Sequence, residues 1–161
     1  EFKKLNTELV GVSIDSLHSH IAWLRAAGQI EWKNYKNVEI KFPLIDDVKM
    51  EVSKKYGMLQ PGFSDTQAVR AVFVIDPKGI VRLIMYYPSS TGRNFDEIKR
   101  VIIAMQKAEK EGIATPADWR PGDDVIVPPP GTCGAAKERL QDKAEDMYCL
   151  DWYLCFKKDK K

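Results

Sequence analysis

Val69-Arg70-Ala71-Val72-Phe73-Val74-Ile75-Asp76-Pro77-Lys78-Gly79, continued by the apolar run Ile80 to Tyr86, is the stretch on which the reading of the fold turns. Two β-branched and aromatic runs are joined by four residues in which Pro77 presets the second turn position and Gly79 the fourth, so the segment reads as an antiparallel β-hairpin. Toward the N-terminus, Glu8 to Asp15 is a short apolar run of the kind that forms a strand buried on both faces. Asp15 or Ser16 can cap a helix from there to about Ala27, with Ile21, Trp23 and Leu24 on one side and Gly28 ending it. Ile40 to Ile45 reads as a second strand, with Pro43 at its end or edge because proline has no N–H to give to a ladder. A helix from Val48 to Tyr56, closed by Gly57, comes next. Toward the C-terminus, Asn94-Phe95-Asp96-Glu97 is a helix entry with its own cap, and Phe95, Ile98, Val101, Ile102 and Met105 form an apolar stripe that runs until Gly112.

The resulting order, β-α-β-α-β-β-α, joins a parallel unit to an antiparallel hairpin and places the chain among α/β folds of thioredoxin type. A sheet of that type needs a further central strand and helix upstream, so the expected fold is thioredoxin-like but incomplete, without its N-terminal strands and catalytic helix. Beyond Gly112, Thr115 to Gly122 and Pro128-Pro129-Pro130-Gly131 are too rich in Pro and Gly for a helix and read as an extended arm. Ala135 to Met147 regains helical composition. The expected division is a partial thioredoxin-like domain over 1–112, then an arm and small helical, cysteine-bearing tail over 113–161.

The chain has 161 residues, 25 basic and 23 acidic, for a formal charge of +2. These charges are interspersed, so no broad basic face recommends nucleic acid as a partner. The terminal run Lys157, Lys158, Lys160 and Lys161 reads as a solvated end. No window approaches the ~18 apolar residues of a membrane span, and the start, Glu1-Phe2-Lys3-Lys4, has no leader pattern. The 3 cysteines form no even framework of the secreted type. A soluble, cytoplasmic protein in a reducing compartment is expected.

Cys149-Leu150-Asp151-Trp152-Tyr153-Leu154-Cys155 is the most suggestive cluster. Its spacing fits neither a Cys-x-x-Cys redox box nor a zinc knuckle, and the only histidines, His18 and His20, lie far upstream. No metal or cofactor is implied. In a helix that spacing separates the Cα atoms by about 9 Å and in a strand by about 20 Å, against the ~7 Å limit of a disulfide. The two are therefore not expected to pair unless the chain bends sharply between them. They read either as small hydrophobes packed among aromatics or as thiols of which one meets a cysteine from elsewhere. Cys133 has no readable partner. Arg70 and Arg93 each allow two readings, a solvated strand or loop end, or a fixed positive charge that acidifies a thiol and hydrogen-bonds an oxygen-bearing substrate. His18 and His20 are expected at the surface or in a capping role. No Gly-x-Ser-x-Gly elbow, phosphate loop or His-Glu-x-x-His box occurs.

Several phrases resemble the 1-Cys class of peroxiredoxins. They are Leu9 to Ser16 with His20-Ile21-Ala22-Trp23, Val69 to Gly79, Tyr86-Tyr87-Pro88 with Thr91 to Ile98, and Ala114 to Pro129. The ending Cys149 to Cys155 resembles the archaeal and bacterial branch with extra C-terminal cysteines. The resemblance implies a thiol-dependent peroxidase that reduces hydrogen peroxide and organic hydroperoxides, with a thioredoxin-like dithiol as electron donor. It implies Arg70 as the residue holding thiolate and peroxide, Cys149 as the resolving cysteine, and Cys155 as an alternative or auxiliary one. It also implies homodimers with swapped arms and larger rings. The family's Pro-x-x-x-Thr-x-x-Cys motif does not occur in this sequence. The peroxide-attacking cysteine is expected upstream of Glu1, in the same polypeptide or in a separate N-terminal fragment, and the chain alone is expected to be inactive. The weaker alternatives are a non-enzymatic assembly or chaperone-like subunit, for which an arm with Trp119 and little to cover on its own domain would be suited, and a disulfide exchanger without peroxidase activity.

Overall fold

The computed structural model describes residues 1–62, 67–141 and 145–159. The chain forms two compact units, Glu1–Arg93 and Asn94–Lys161.

In the first unit, β1 (Gly11–Ser13) runs parallel to β2 (Leu44–Asp46), with Gly11 opposite Leu44 and Ser13 opposite Asp46. The intervening α1 (Leu17–Gln29) makes this a β-α-β unit, as the apolar runs require. Ser16 caps α1 by accepting the Ser19 N–H at 3.3 Å. Gly28 does not end the helix. α1 continues to Gln29 and stops where Ile30 turns extended, leading into a tight Trp32–Tyr35 bridge. β2 starts only after Pro43, whose carbonyl accepts the Gly11 N–H at 2.9 Å, so the residue without a donor sits just outside the ladder. Gly11 lets the strands pack closely: a Cβ there would lie 2.8 Å from Leu44 Cδ1 and 3.1 Å from Phe42, so those side chains would have to shift.

The expected helix over Val48 to Tyr56 is shorter, α2 (Glu51–Lys55), because Met50 adopts a left-handed conformation (φ 57°). Buried Asp47 caps it, its carboxylate accepting the N–H groups of Val52 (3.0 Å) and Ser53 (2.7 Å). The hairpin is β3 (Arg70–Ile75) against β4 (Val81–Tyr87). Asp76 closes its turn by accepting N–H groups from Lys78 and Ile80, each at 2.9 Å, with Gly79 at φ 80°. Tyr86 donates its hydroxyl to the Tyr56 carbonyl (2.8 Å), and Phe73 meets both tyrosine rings edge-on, which ties the hairpin to the end of α2. The β1–β2 and β3–β4 pairs are separate two-stranded sheets.

In the second unit, α3 (Phe95–Glu111) is bounded as expected: Asn94 accepts the N–H groups of Asp96 and Glu97, and Gly112 is left-handed at φ 65°. Its stripe buries Ile98 and Ile102, and the core of the unit is Ala104 packed with Trp119 and Val125. The arm therefore does have something to cover, because Trp119 is 1% exposed. Its indole N–H donates to the Asp123 carbonyl (3.0 Å), and Arg100, paired with Glu97, donates to the Trp119 carbonyl (3.2 Å).

Among the described residues the tail is helical over α4 (Cys133–Gln141), where Thr132 accepts the Ala135 N–H. The expected helix to Met147 passes through residues 142–144, outside the described residues, as are Lys160 and Lys161. From Met147 onward the tail is sheet instead. β5 (Val125–Val127), β6 (Met147–Asp151) and β7 (Leu154–Lys157) form a three-stranded antiparallel sheet in the order β5-β7-β6. Tyr148 stacks on Phe156 and donates its hydroxyl to Asp124 (3.0 Å), while Lys107 on α3 pairs with Asp159 (2.7 Å), so the hairpin is anchored at both ends.

Candidate functional site

Two places gather the chemistry that the sequence marks. The first is the open end of the β3–β4 hairpin. Arg70 begins β3 opposite Tyr87, so both side chains share one face. Arg93 joins them and donates to the Ala71 carbonyl at 3.2 Å. That contact partly desolvates an otherwise exposed guanidinium, which together with the charge of Arg70 lowers the Arg93 pKa, against an opposing effect of Tyr87. Among the described residues no carboxylate is paired with either arginine. Two guanidiniums without a carboxylate partner among the described residues form a local positive field with several N–H donors, suited to an anion such as a thiolate or a peroxide oxygen. The structure brings Arg93, exposed and bonded to the Ala71 carbonyl, to the same end of the hairpin as Arg70.

The second place is the tail hairpin, and it corrects an expectation. Cys149 and Cys155 are disulfide-bonded, with Cα atoms 4.0 Å apart. The chain does bend sharply: β6 and β7 are connected through Trp152 and Tyr153, and Cys149 stands directly opposite Cys155. Directly opposed residues of an antiparallel pair have Cα atoms about 4.5–5.5 Å apart, close enough to bridge. The turn escapes a reading of the residues because Asp151-Trp152-Tyr153-Leu154 contains no Gly, Pro or Asn. A signal is present in the aromatic, strand-favouring composition and in the alternation along Met147 to Asp151, which the structure shows as half-buried and exposed by turns. The two residues differ in exposure: Cys155 is fully buried and Cys149 half-buried. Cys133 is exposed and free.

His20 is also corrected. It is buried, with Nε2 2.7 Å from the Ser13 hydroxyl oxygen, which is itself 2.9 Å from Asp15 Oδ2. The hydroxyl has one proton and the carboxylate can only accept, so Ser13 donates to Asp15 and accepts from His20 Nε2–H. In this arrangement His20 takes no proton from Ser13, and the pair ties α1 to β1 rather than forming a nucleophile and base. Among the described residues no group of three or more His, Cys, Asp and Glu could hold a metal ion, and no helix is long and apolar enough to cross a membrane.

Residues 1–84 match the AhpC/TSA family, and residues 104–143 match the C-terminal domain of 1-Cys peroxiredoxin. The chain is 60% identical over 160 residues to a peroxiredoxin of Methanosarcina mazei, covering 99% of this chain and 73% of that protein. It is 50% identical over 168 residues to a peroxiredoxin of Aquifex aeolicus, covering 98% and 72%. Among solved structures, a yeast mitochondrial 1-Cys peroxiredoxin, studied for thiol resolution through glutathione and thioredoxin systems, is similar with a TM-score of 0.78 and 37% identity, over 98% of this chain and 73% of that one. A mutant of the peroxiredoxin 6 of Arenicola marina is similar with a TM-score of 0.78 and 31% identity, over 99% and 74%.

Proposed function

The chain belongs to the peroxiredoxins, thiol-dependent peroxidases with a thioredoxin-like fold, and from that premise we propose how its own residues share the reaction. Arg70 holds the peroxidatic thiolate and the peroxide, with Arg93 beside it. The peroxidatic cysteine itself comes from polypeptide upstream of Glu1, in the same chain or as a separate N-terminal fragment. Three observations support this. The family's cysteine motif does not occur in residues 1–161. All three cysteines lie in the unit Asn94–Lys161, whereas Arg70 and Arg93 lie in the other. The β1–β2 and β3–β4 pairs are separate sheets, as expected where a central strand from upstream would join them. The division into a partial thioredoxin-like domain, 1–112, and an arm and tail, 113–161, belongs to the same proposal.

In the proposed cycle the peroxidatic thiolate attacks the terminal peroxide oxygen. The O–O bond breaks, water or an alcohol leaves, and a sulfenic acid forms. Cys149, the half-buried tail thiol, attacks the sulfenic sulfur as a thiolate and expels water. Cys155 acts as auxiliary, attacking Cys149 and releasing the peroxidatic thiolate, which leaves the Cys149–Cys155 bridge. A thioredoxin-like dithiol reopens it. In a reducing cytoplasmic setting a disulfide is more often transient and catalytic than structural, which favours this use of the tail. The apolar stripe Leu17, Ile21 and Leu24 on α1 is exposed, which supports assembly into a homodimer and larger ring.

The observation that carries the proposal is the pair of guanidiniums gathered at the open end of the hairpin with no carboxylate partner among the described residues. Its test is peroxide consumption by the polypeptide with its upstream sequence restored, compared with Arg70→Ala in the same background. Loss of a positive donor aimed at developing charge lowers the rate by about 10²–10³, while the unfolding free energy from urea titration stays within about 0.5 kcal/mol of the parent value, as for a surface substitution. Equal losses of activity and stability would return Arg70 to a structural role. Turnover of disulfides without turnover of peroxide would favour a disulfide exchanger instead.

A further inference from the structure

The tail disulfide has a built-in direction. Thiol–disulfide exchange requires the attacking thiolate to reach one sulfur while the other leaves, so access decides which sulfur is attacked. Cys155 is 0% exposed, on the central strand of the β5-β7-β6 sheet, whereas Cys149 is on an edge strand. Its sulfur lies 3.5 Å from the Asp151 carbonyl and 4.0 Å from that of Trp152. Cys149, directly across from it, is half-buried and sits beside the register shift at Leu150. The tip around it carries Leu150, 72% exposed, and the exposed rings of Trp152 and Tyr153.

We propose that reduction enters at Cys149. The reductant's thiolate attacks Cys149 Sγ, the bond to Cys155 breaks, and Cys155 leaves as a thiolate that takes a proton. The partner is a dithiol protein with an apolar surface around its reactive thiol, seated on Leu150, Trp152 and Tyr153. Its second thiolate then attacks its own sulfur in the mixed disulfide, releasing reduced Cys149 and an oxidised reductant, so two electrons pass in all. Once protonated, Cys155 can donate its S–H to the Asp151 carbonyl. That contact slows back-attack and gives the second thiol of the reductant time to act. Cys149 then carries the exchange in both half-reactions, and Cys155 is the leaving group. The inference rests on reading the tail pair as redox-active.

The test uses the oxidised chain and a thioredoxin-type protein whose second active-site cysteine is serine. Mixtures are quenched with acid at early times and alkylated, then cleaved on the N-terminal side of aspartate. This separates Asp146–Leu150, which carries Cys149, from Asp151–Lys158, which carries Cys155. Mass spectrometry is expected to find the adduct on Cys149 over Cys155 by about tenfold or more, with Cys155 alkylated. Adduct mainly on Cys155, or equally on both, overturns the inference and leaves the redox reading standing. No adduct on either refutes the reading of the tail as the point of reduction, and the inference with it. Leu150→Ser is expected to slow adduct formation with the protein but not with 2-mercaptoethanol. An equal change with both would remove the apolar contact from the proposal.

Discussion

Truncating Trp119 to alanine tests whether the arm is part of the fold. The side chain is 1% exposed, packs with Ala104 and Val125, and donates its indole N–H to the Asp123 carbonyl. Removing a buried tryptophan costs about 3–5 kcal/mol, counting lost transfer energy and the cavity left behind. Against a total stability of about 5–15 kcal/mol that is a large share. With a urea m-value of about 2 kcal/mol/M, the midpoint should fall by roughly 2 M. Trp119→Phe keeps most of the apolar area but leaves the Asp123 carbonyl without its donor, so a smaller loss of about 1–3 kcal/mol is expected. Fluorescence is well suited to the measurement, because Trp23, Trp32 and Trp152 are 52%, 60% and 42% exposed and Trp119 alone is buried. The red shift on unfolding therefore reports chiefly on Trp119 and should largely vanish in Trp119→Phe, whose stability is then read by circular dichroism. A loss below about 1 kcal/mol for Trp119→Ala would mean that the arm is not docked on α3, and the account of the second unit would fall.

Two more outcomes are expected in the first unit. Burial alone would push the Asp47 carboxyl up, but the Ser53 hydroxyl and the N–H groups of Ser53, Val52 and Glu51 outweigh it and hold the group below its ordinary value. The Ser53 hydroxyl makes no well-formed hydrogen bond, so the backbone N–H groups carry most of that effect. A depressed carboxyl stabilises the fold above its unfolded pKa of about 3.9, and that contribution is lost as pH falls through the folded value. Urea midpoints of the parent and Asp47→Asn should accordingly differ at pH 7 and the gap should narrow as pH falls below about 4, whereas a constant gap would contradict the assignment. Gly11→Ala places a methyl group 2.8 Å from Leu44 Cδ1 and should destabilise by about 1–3 kcal/mol. Shortening the opposing side chain with Leu44→Val should relieve part of this, by a coupling of at least about 0.5 kcal/mol, and strict additivity in the double variant would refute the contact.

Much of the candidate site is legible in outline from the residues. Arg70 is marked by its place at the start of the hairpin strand, and Cys149 and Cys155 by their cluster. Their company is not legible: Arg93 beside Arg70, and the two tail cysteines facing each other. The first depends on a loop folding back to the Ala71 carbonyl, and the second on a turn in which Asp151 is the one turn-favouring residue, with no Gly, Pro or Asn beside it.

Read on their own, the residues carried the β-α-β unit, the hairpin around Asp76 to Gly79, and the limits of α3 at Asn94 and Gly112. Those features rest on short-range physics, in which caps, turn residues and apolar periods act within a few positions of themselves. Tertiary structure decided the burial of His20 and Trp119, the start of α2 after Met50, and the disulfide that joins a half-buried cysteine to a fully buried one. These depend on which surfaces meet across tens of residues, and no local pattern encodes that access.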